Sequence, residues 1–198
     1  MAGAETRNTA GFTIIELMIV LVIIGIALTI AAPNFRGFVR ENRVKTSARA
    51  IAVSLQTARL KAINSNRRCF VDFAPGSLSP ADSFYTVWLD FNSNLAYDAG
   101  ESDSTHLGQP DTKGGFKGYK LPLGVKFGVS GVSTGPESAA IPADGVDFGG
   151  SDRVGFNSRG VGTAGGVYLT AENGSKYAIT VSGLGAVRTW KWDNSQWK

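Results

Sequence analysis

Cysteine and histidine are nearly absent from this chain of 198 residues, which has one of each, Cys69 and His106. A single cysteine excludes an internal disulfide, and a lone cysteine in an apolar strand is typical of a buried core position; an intermolecular disulfide or a reactive thiol is the alternative. A single histidine leaves little for hydrolase chemistry, which needs a base within hydrogen-bond reach of the nucleophile. Gly131-Val132-Ser133-Thr134-Gly135 has the spacing of a nucleophile elbow, but no helix pattern follows it and His106 precedes it. We therefore expect no enzymatic activity.

Charged residues are missing from a long apolar stretch near the amino terminus. Of the 21 residues from Phe12 to Ala32, only Glu16 is charged. As a helix at about 1.5 Å per residue, this stretch spans about 30 Å, the thickness of the hydrocarbon core of a bilayer. Residues 1–11 are polar, and the small residue Gly11 lies before the apolar stretch. In a secretory signal, by contrast, the small-residue cleavage site lies after the apolar region. The sequence predicts a leader over residues 1–11 and a transmembrane helix over residues 12–32.

Glu16 is the most informative residue of this stretch. A charge at membrane depth costs roughly 2.5 kcal/mol or more, so it normally has a partner and a function. A cationic amine within a few ångströms would stabilise the carboxylate, because opposite charges favour each other's charged form.

The run Gly11-Phe12-Thr13-x-x-Glu16 and the apolar residues after it resemble the class III signal of type IV pilins and type II secretion pseudopilins. The resemblance implies cleavage after Gly11 by a prepilin peptidase and methylation of the new amine of Phe12. It also implies that Glu16 pairs with the amino terminus of a neighbouring subunit and so fixes the axial register of the assembly. Other pilins and an inner-membrane assembly platform are the partners it implies. An ordinary signal anchor is the alternative.

The location that follows from this resemblance is a single pass of the bacterial inner membrane with a periplasmic carboxy-terminal domain. After assembly, the implied location is a pilus or pseudopilus.

The apolar pattern continues beyond Pro33 with a helical period. Apolar residues recur there at steps of three and four, namely at Val44, Ala48, Ile51, Ala52, Leu55, Ala58 and Ala62. We predict one long helix from Phe12 to about Asn64, in which residues 33–66 are the amphipathic continuation. Its stripe would pack on a β-rich domain over residues 67–198. The fold class predicted is α+β, a long helix whose second half packs on an antiparallel sheet.

Strand patterns follow the helix. The runs that favour strands are Cys69–Phe73, Phe84–Leu89, Leu121–Val129, Arg153–Phe156 and Ala186–Trp192. The region Asp90–Gly118 between them has a loop-like composition. Asn173-Gly174 lies between the alternating runs Val167–Glu172 and Ser175–Val181, which predicts a hairpin with a two-residue type I′ turn.

Weaker matches further along the chain narrow the resemblance to one branch of the minor pilins. This branch contains pseudopilin H of type II secretion and the FimT and FimU pilins. The segments that carry it are Arg59–Ile63, the residues around Gly160, and Ile179–Arg188. The resemblance implies a pilin fold and a structural subunit that helps to initiate or assemble a type IV pilus or a type II secretion pseudopilus. The sequence does not separate these two systems.

An acidic loop between strands has calcium-ligand spacing. Oxygen-bearing side chains occupy positions one, three, five, nine and twelve of an EF-hand-like loop, at Asp90, Asn92, Asn94, Asp98 and Glu101. Leu95 takes the sixth position, where glycine normally makes the turn and leucine would be strained at positive φ. A solvated loop stabilised by Asx turns is the alternative to a Ca²⁺ site.

The carboxy terminus alternates cations with tryptophans, among them Arg188, Trp190 and Lys191. Cations neutralise phosphates and aromatic rings stack on bases, so this pattern suits nonspecific DNA contact. Some FimT-type pilins take up DNA through a Gly-Arg-x-Arg element, but Gly185-Ala186-Val187-Arg188 lacks the first arginine. An edge strand with tryptophans packed on the sheet or on the next subunit is the alternative. A DNA-uptake pilin is therefore the second functional hypothesis.

Overall fold

The computed structural model describes residues 12–74, 77–98, 100–101 and 109–198, and only the backbone of residues 30–36 and 109–110 within them. The chain divides into two units, one ending at Val39 and one spanning Arg40–Lys198. The predicted leader, Gly11 and His106 lie outside the described residues.

One long helix, α1, runs over Ile14–Ser65. It ends where Asn66 adopts a left-handed conformation with a φ of 52°. There the N–H of Asn66 donates to the carbonyl of Ile63 at 3.3 Å, and the N–H of Arg67 donates to the carbonyl of Ala62 at 3.2 Å. These bonds satisfy carbonyl groups of the last turn, which otherwise lack partners. The helix predicted from Phe12 to about Asn64 is confirmed to within two residues at each end.

In the first unit, α1 exposes large apolar side chains all around its axis. Over residues 14–28 these side chains are between 45% and 82% exposed in the single chain. Among the described residues, no helix combines the length and the apolarity that a membrane crossing requires. The transmembrane helix expected over residues 12–32 stays a prediction.

In the second unit, α1 buries the predicted stripe. Val44, Ile51, Leu55 and Ala58 are completely buried and belong to one core cluster with inward-facing strand residues. Inside this core, the hydroxyls of Ser54 and Tyr85 are hydrogen-bonded at 3.2 Å. The stripe's period of 3.6 residues places these side chains on one face, and that face covers the sheets.

Among the residues that the structure describes, ten strands follow the helix. In chain order they are β1 (Cys69–Asp72), β2 (Phe84–Leu89), β3 (Gln109–Lys113), β4 (Phe116–Lys120), β5 (Val125–Phe127), β6 (Val146–Asp147), β7 (Arg153–Phe156), β8 (Gly165–Ala171), β9 (Lys176–Val181) and β10 (Val187–Lys191). They form one sheet of order β3-β4-β2-β1-β7 and another of order β10-β9-β8-β5, with β6 paired to β8. All strand pairs are antiparallel. The predicted α+β class is confirmed.

Two local predictions need correction. The loop-like region Asp90–Gly118 contains β3 and part of β4, joined by Gly114 and Gly115, which both have positive φ. Their sequence signals are weak because β3 carries a proline and polar residues, a composition that strands at sheet edges tolerate.

The predicted hairpin β8–β9 is confirmed, but the prediction of a two-residue type I′ turn is wrong. The N–H of Ala171 donates to the carbonyl of Ser175, so the loop has three residues, Glu172–Gly174. Only Gly174 has a positive φ, of 84°, whereas a type I′ turn needs positive φ at both central residues. This geometry is typical of a three-residue loop that ends on a left-handed glycine.

Candidate functional site

Glu16 lies in the first turn of α1 and hydrogen-bonds Thr13, the residue just before the helix. One carboxylate oxygen, Oε2, accepts the backbone N–H of Thr13 at 2.9 Å and its hydroxyl at 3.0 Å. In return, the N–H of Glu16 donates to the Thr13 hydroxyl oxygen at 3.2 Å. This reciprocal arrangement is a capping box, which satisfies backbone N–H groups at the start of a helix.

The cap was not predicted, although Thr13-x-x-Glu16 before an apolar run is its sequence signature. It uses one oxygen of the Glu16 carboxylate. Within the described residues, the second oxygen, Oε1, accepts no hydrogen bond. The carboxylate is therefore oriented by its own helix while one oxygen stays available to a donor from outside the chain. Phe12 beside it is 89% exposed.

The loop from Asp90 to Glu101 brings together all five residues of the calcium interpretation. Asp98 Oδ2 accepts the side-chain amides of Asn92 at 2.6 Å and Asn94 at 2.8 Å. The Glu101 carboxylate accepts the backbone N–H of Phe91 at 2.8 Å and that of Asp98 at 2.9 Å. These bonds tie the oxygen-bearing side chains of the loop to one another and to its backbone.

Asp90 occupies the first position of this loop and is 1% exposed. Its carboxylate accepts the backbone N–H groups of Asn94 and Leu95, both at 3.2 Å. Leu95 has a φ of 63°, as expected for the position that glycine normally fills. The described residues contain no group of three or more His, Cys, Asp or Glu side chains placed to hold a metal. The calcium site stays a prediction.

The same loop packs on the outer face of the first sheet. The Tyr97 ring lies edge-on to Trp88 at 6.0 Å between centroids and contacts the Phe116 ring at 4.7 Å. The Arg153 guanidinium donates to the Leu95 carbonyl at 3.1 Å and lies over the Phe70 ring at 5.0 Å. These contacts give the loop a structural role, since they cover aromatic side chains that would otherwise face water.

The cations of the carboxy-terminal segment are paired with carboxylates. Arg188 pairs with Glu137 at 2.9 Å, Lys191 with Glu41 at 2.5 Å, and Lys198 with Asp193. The Glu41 carboxylate raises the pKa of Lys191, mainly through their hydrogen bond. Each of these charges is therefore already balanced within the chain.

The tryptophans of this segment are bonded to the second sheet and to a nearby loop. Trp190 Nε1 donates to the Thr180 hydroxyl at 2.9 Å, and Trp197 Nε1 donates to the Thr134 carbonyl at 2.9 Å. The Trp197 ring also packs against Trp192, 5.3 Å away. These contacts match the packing alternative. DNA binding through Arg188, Trp190 and Lys191 stays a prediction that no contact of the described residues favours.

Cys69 lies at the start of β1 and is completely buried. Burial raises the pKa of its thiol to about 12. A thiol that stays protonated is a poor nucleophile and a poor metal ligand. The core position predicted for Cys69 is confirmed.

The three segments around Arg59, Gly160 and Gly185 converge at the end of α1. Arg59 Nε donates to the Gly160 carbonyl at 3.0 Å, and its Nη2 donates to the Leu184 carbonyl at 3.3 Å. Both glycines have positive φ, 76° and 77°. Sequence reasoning marked these segments by resemblance only, and the structure explains them as a joint between the helix and two loops.

Two segments of this chain match models of known protein families. Residues 47–185 match the family model described as type II transport protein GspH, and residues 6–32 match the prokaryotic N-terminal methylation motif. The pilin-like protein PilA1 of Thermus thermophilus is 35% identical over 106 residues, which are 50% of this chain and 60% of that protein. A fimbrial protein of Moraxella nonliquefaciens is 42% identical over 62 residues, 31% of this chain and 39% of that protein. The chain thus spans less than two thirds of the length of the curated relatives it matches.

Two solved structures are similar at low sequence identity. The minor pseudopilin EpsH of the Vibrio cholerae type 2 secretion system is 12% identical with a TM-score of 0.48, over 78% of this chain and 99% of that one. The type IV minor pilin FimU of Pseudomonas aeruginosa is 11% identical with a TM-score of 0.47, over 81% of this chain and 96% of that one.

Proposed function

The chain belongs to the GspH family, and from this membership we propose that it is a minor pilin or pseudopilin, a structural subunit without enzymatic activity. The observation that carries the proposal is Glu16 at the start of an apolar helix, inside a segment that matches the N-terminal methylation motif. A structural subunit acts by burying apolar surface against other subunits and by pairing charges with them. The apolar surface and the Glu16 carboxylate both lie in this amino-terminal segment.

The first step of the proposed pathway is processing. Prepilin peptidase cleaves between Gly11 and Phe12, which gives Phe12 a free amine that is then methylated. The methylation motif over residues 6–32 supports this step because it contains both residues. Until assembly, residues 12–32 anchor the subunit in the inner membrane, with residues 67–198 in the periplasm.

The second step is assembly through Glu16. The new amine of Phe12 is cationic, and Glu16 of a neighbouring subunit offers it a carboxylate. The Thr13 bonds support this pairing, because they fix Oε2 and leave Oε1 without a donor among the described residues. In a low-dielectric filament core, two opposite charges attract far more strongly than in water. The pair therefore selects one axial position of a subunit against its neighbour.

Burial supplies the remaining free energy of assembly. Large apolar side chains over residues 14–28 are exposed in the single chain, and an apolar surface of this extent normally marks an interaction. In the proposed cycle this surface moves from lipid to the helices of other pilins or pseudopilins, delivered by the inner-membrane assembly platform.

Mass spectrometry of the native protein tests the processing step. The expected mature amino terminus is methylated Phe12. A protein that still begins with Met1, or that has lost residues 12–32, contradicts the proposal.

A pair of variants tests the assembly step. We expect Glu16→Ala to be inserted and cleaved normally but to join filaments poorly, since it removes both the cap and the pairing oxygen. Thr13→Val is the matched control, because it removes the hydroxyl of the cap and keeps the carboxylate. Wild-type piliation or secretion with Glu16→Ala would refute the pairing role. Complementation of piliation and of secretion, measured in parallel, distinguishes a type IV pilus from a type II secretion pseudopilus.

A further inference from the structure

A basic cleft lies beside the carboxy-terminal end of α1. The left-handed Asn66 ends the helix and leads directly into Arg67 and Arg68. The turn after β7 lies next to them, because β1 and β7 pair Cys69 with Phe156, and it presents Arg159. The three arginines line one cleft of about 470 Å³. Three cations from two distant parts of the sequence therefore share one surface depression.

The turn that carries Arg159 is fixed by its own hydrogen bonds. Asn157 Oδ1 accepts the N–H of Arg159 at 2.9 Å and the N–H of Val161 at 3.1 Å. The N–H of Gly160 donates to the Asn157 carbonyl at 2.9 Å. Arg159 therefore projects from an ordered turn, so part of the entropic cost of placing a cation at the cleft is already met by the fold.

The charges of the cleft are not balanced by its own residues. The Arg67 guanidinium donates to the Phe91 carbonyl, and its Cζ lies 5.9 Å from the centre of the Phe91 ring. In the part of the chain that the structure describes, the guanidinium groups of Arg68 and Arg159 have no carboxylate partner. Asp90 also lines the cleft, but its buried carboxylate already accepts two backbone N–H groups.

We propose that this cleft binds a carboxylate-rich segment of a neighbouring subunit in the filament. This inference rests on the proposed function, which supplies the neighbour. Guanidinium groups bind carboxylates through paired, charge-assisted hydrogen bonds, and arginine is the residue best suited to this geometry. Asn66, Ser93 and Ser158 line the same cleft and add neutral polar groups for the peptide backbone.

Nucleic acid is the less favoured ligand of the cleft. Proteins that bind single strands combine cations with aromatic rings on which bases stack. Among the described residues that line the cleft, none is aromatic. The cleft thus offers recognition of anionic groups without a stacking surface, which is the pattern expected for an acidic peptide.

The binding test uses the mature full-length chain in detergent micelles and a fluorescent hexaglutamate peptide as the probe. We expect Arg68→Glu combined with Arg159→Glu to weaken peptide binding at least tenfold at 150 mM NaCl. Lys117→Glu combined with Lys126→Glu is the matched control, since it makes the same charge change at two exposed lysines outside the cleft. The control pair should change the affinity less than twofold. Circular dichroism confirms that both double variants fold.

Three results would overturn the inference. Equal weakening by the two double variants would mean that the peptide responds only to net charge. Displacement of the peptide by inorganic phosphate or by an oligothymidylate at lower concentration than by unlabelled hexaglutamate would assign the cleft to phosphate groups. Wild-type assembly by the Arg68→Glu, Arg159→Glu variant would remove the role in the filament. Failure of the proposed function is a separate result, normal assembly by Glu16→Ala.

Discussion

Gly185 lies against the carbonyl of Gly160, so closely that a β-carbon built on Gly185 would overlap that carbonyl oxygen. The same β-carbon would lie 2.9 Å from Arg59 Nε, which donates to the same carbonyl. Two glycine turns and one arginine side chain thus form the joint that ties the second sheet to the end of α1. Any side chain at Gly185 would push its turn away from the Gly160 carbonyl and from Arg59, whose Nη2 donates to the Leu184 carbonyl 125 residues further along the chain.

Gly185→Ala should therefore destabilise the second unit. Alanine at a φ of 77° is strained, and its β-carbon would meet backbone atoms that cannot move away cheaply. We expect a loss of about 2 kcal/mol or more in the free energy of unfolding, measured by chemical denaturation. Gly183→Ala is the matched control in the same turn, because nothing lies within 4 Å of its β-carbon. Similar stability of the two variants would contradict this account of the joint.

The sequence predicts the helix and the central strands well, because their signals are local. The apolar stripe of α1, the run of β-formers in β2 and the short strand β7 have the bounds expected from periodicity and composition. The strands β3 and β4 were missed because they are polar, and their pairing depends on tertiary contacts. Even so, Gly114-Gly115 was a readable hairpin signal, since glycine tolerates positive φ at both positions.

The candidate site is predictable in part. Glu16 stands out because a charge in an apolar run is costly, and that argument needs no structure. Its bonds to Thr13 follow the Thr-x-x-Glu signature of a capping box, which can also be read from the sequence. The cleft of Arg68 and Arg159 is invisible in the sequence, because the two residues meet only through the pairing of β1 with β7.

Cys69 should make the protein less stable in alkali. Burial raises the pKa of the folded thiol to about 12, well above the ordinary thiol value of 9.0. The unfolded chain therefore loses the thiol proton first as the pH rises through 9, which favours unfolding. The stability from the neutral thiol is fully present below pH 9 and is lost progressively between about pH 9 and 12. At pH 10 the loss is about 1 kcal/mol.

The Cys69→Ala variant isolates this effect, since it removes the thiol and leaves the other titrating groups in place. The wild-type advantage in unfolding free energy over Cys69→Ala should shrink by about 1 kcal/mol between pH 7 and pH 10. An advantage that stays constant with pH would show that the buried thiol does not drive the alkaline loss.

The ion pairs of the carboxy-terminal segment allow a sharp test of the DNA hypothesis. Arg188 and Lys191 are paired with Glu137 and Glu41, so we expect their alanine variants to leave the mobility of a DNA oligonucleotide unchanged. Glu137→Gln combined with Glu41→Gln removes the carboxylate partners of both cations. This double variant is the positive control, in which any DNA contact by Arg188 and Lys191 would be strongest. Retardation by the wild type that disappears in Arg188→Ala with Lys191→Ala would instead support DNA binding.

The loop from Asp90 to Glu101 should be held together by its internal bonds, with or without a cation. Asp90→Ala removes the Asp90 acceptor of the Leu95 N–H and one of the two acceptors of the Asn94 N–H, which keeps Asn92 Oδ1 at 3.1 Å. We expect a loss of about 1 kcal/mol or more in unfolding free energy. If hydrogen bonds alone stabilise the loop, this loss is the same in EDTA as in CaCl₂. Thermal unfolding of the wild type in both buffers completes the test. A rise in Tm with CaCl₂ that Asp98→Asn abolishes would establish the calcium site, because that change removes one carboxylate and keeps its shape.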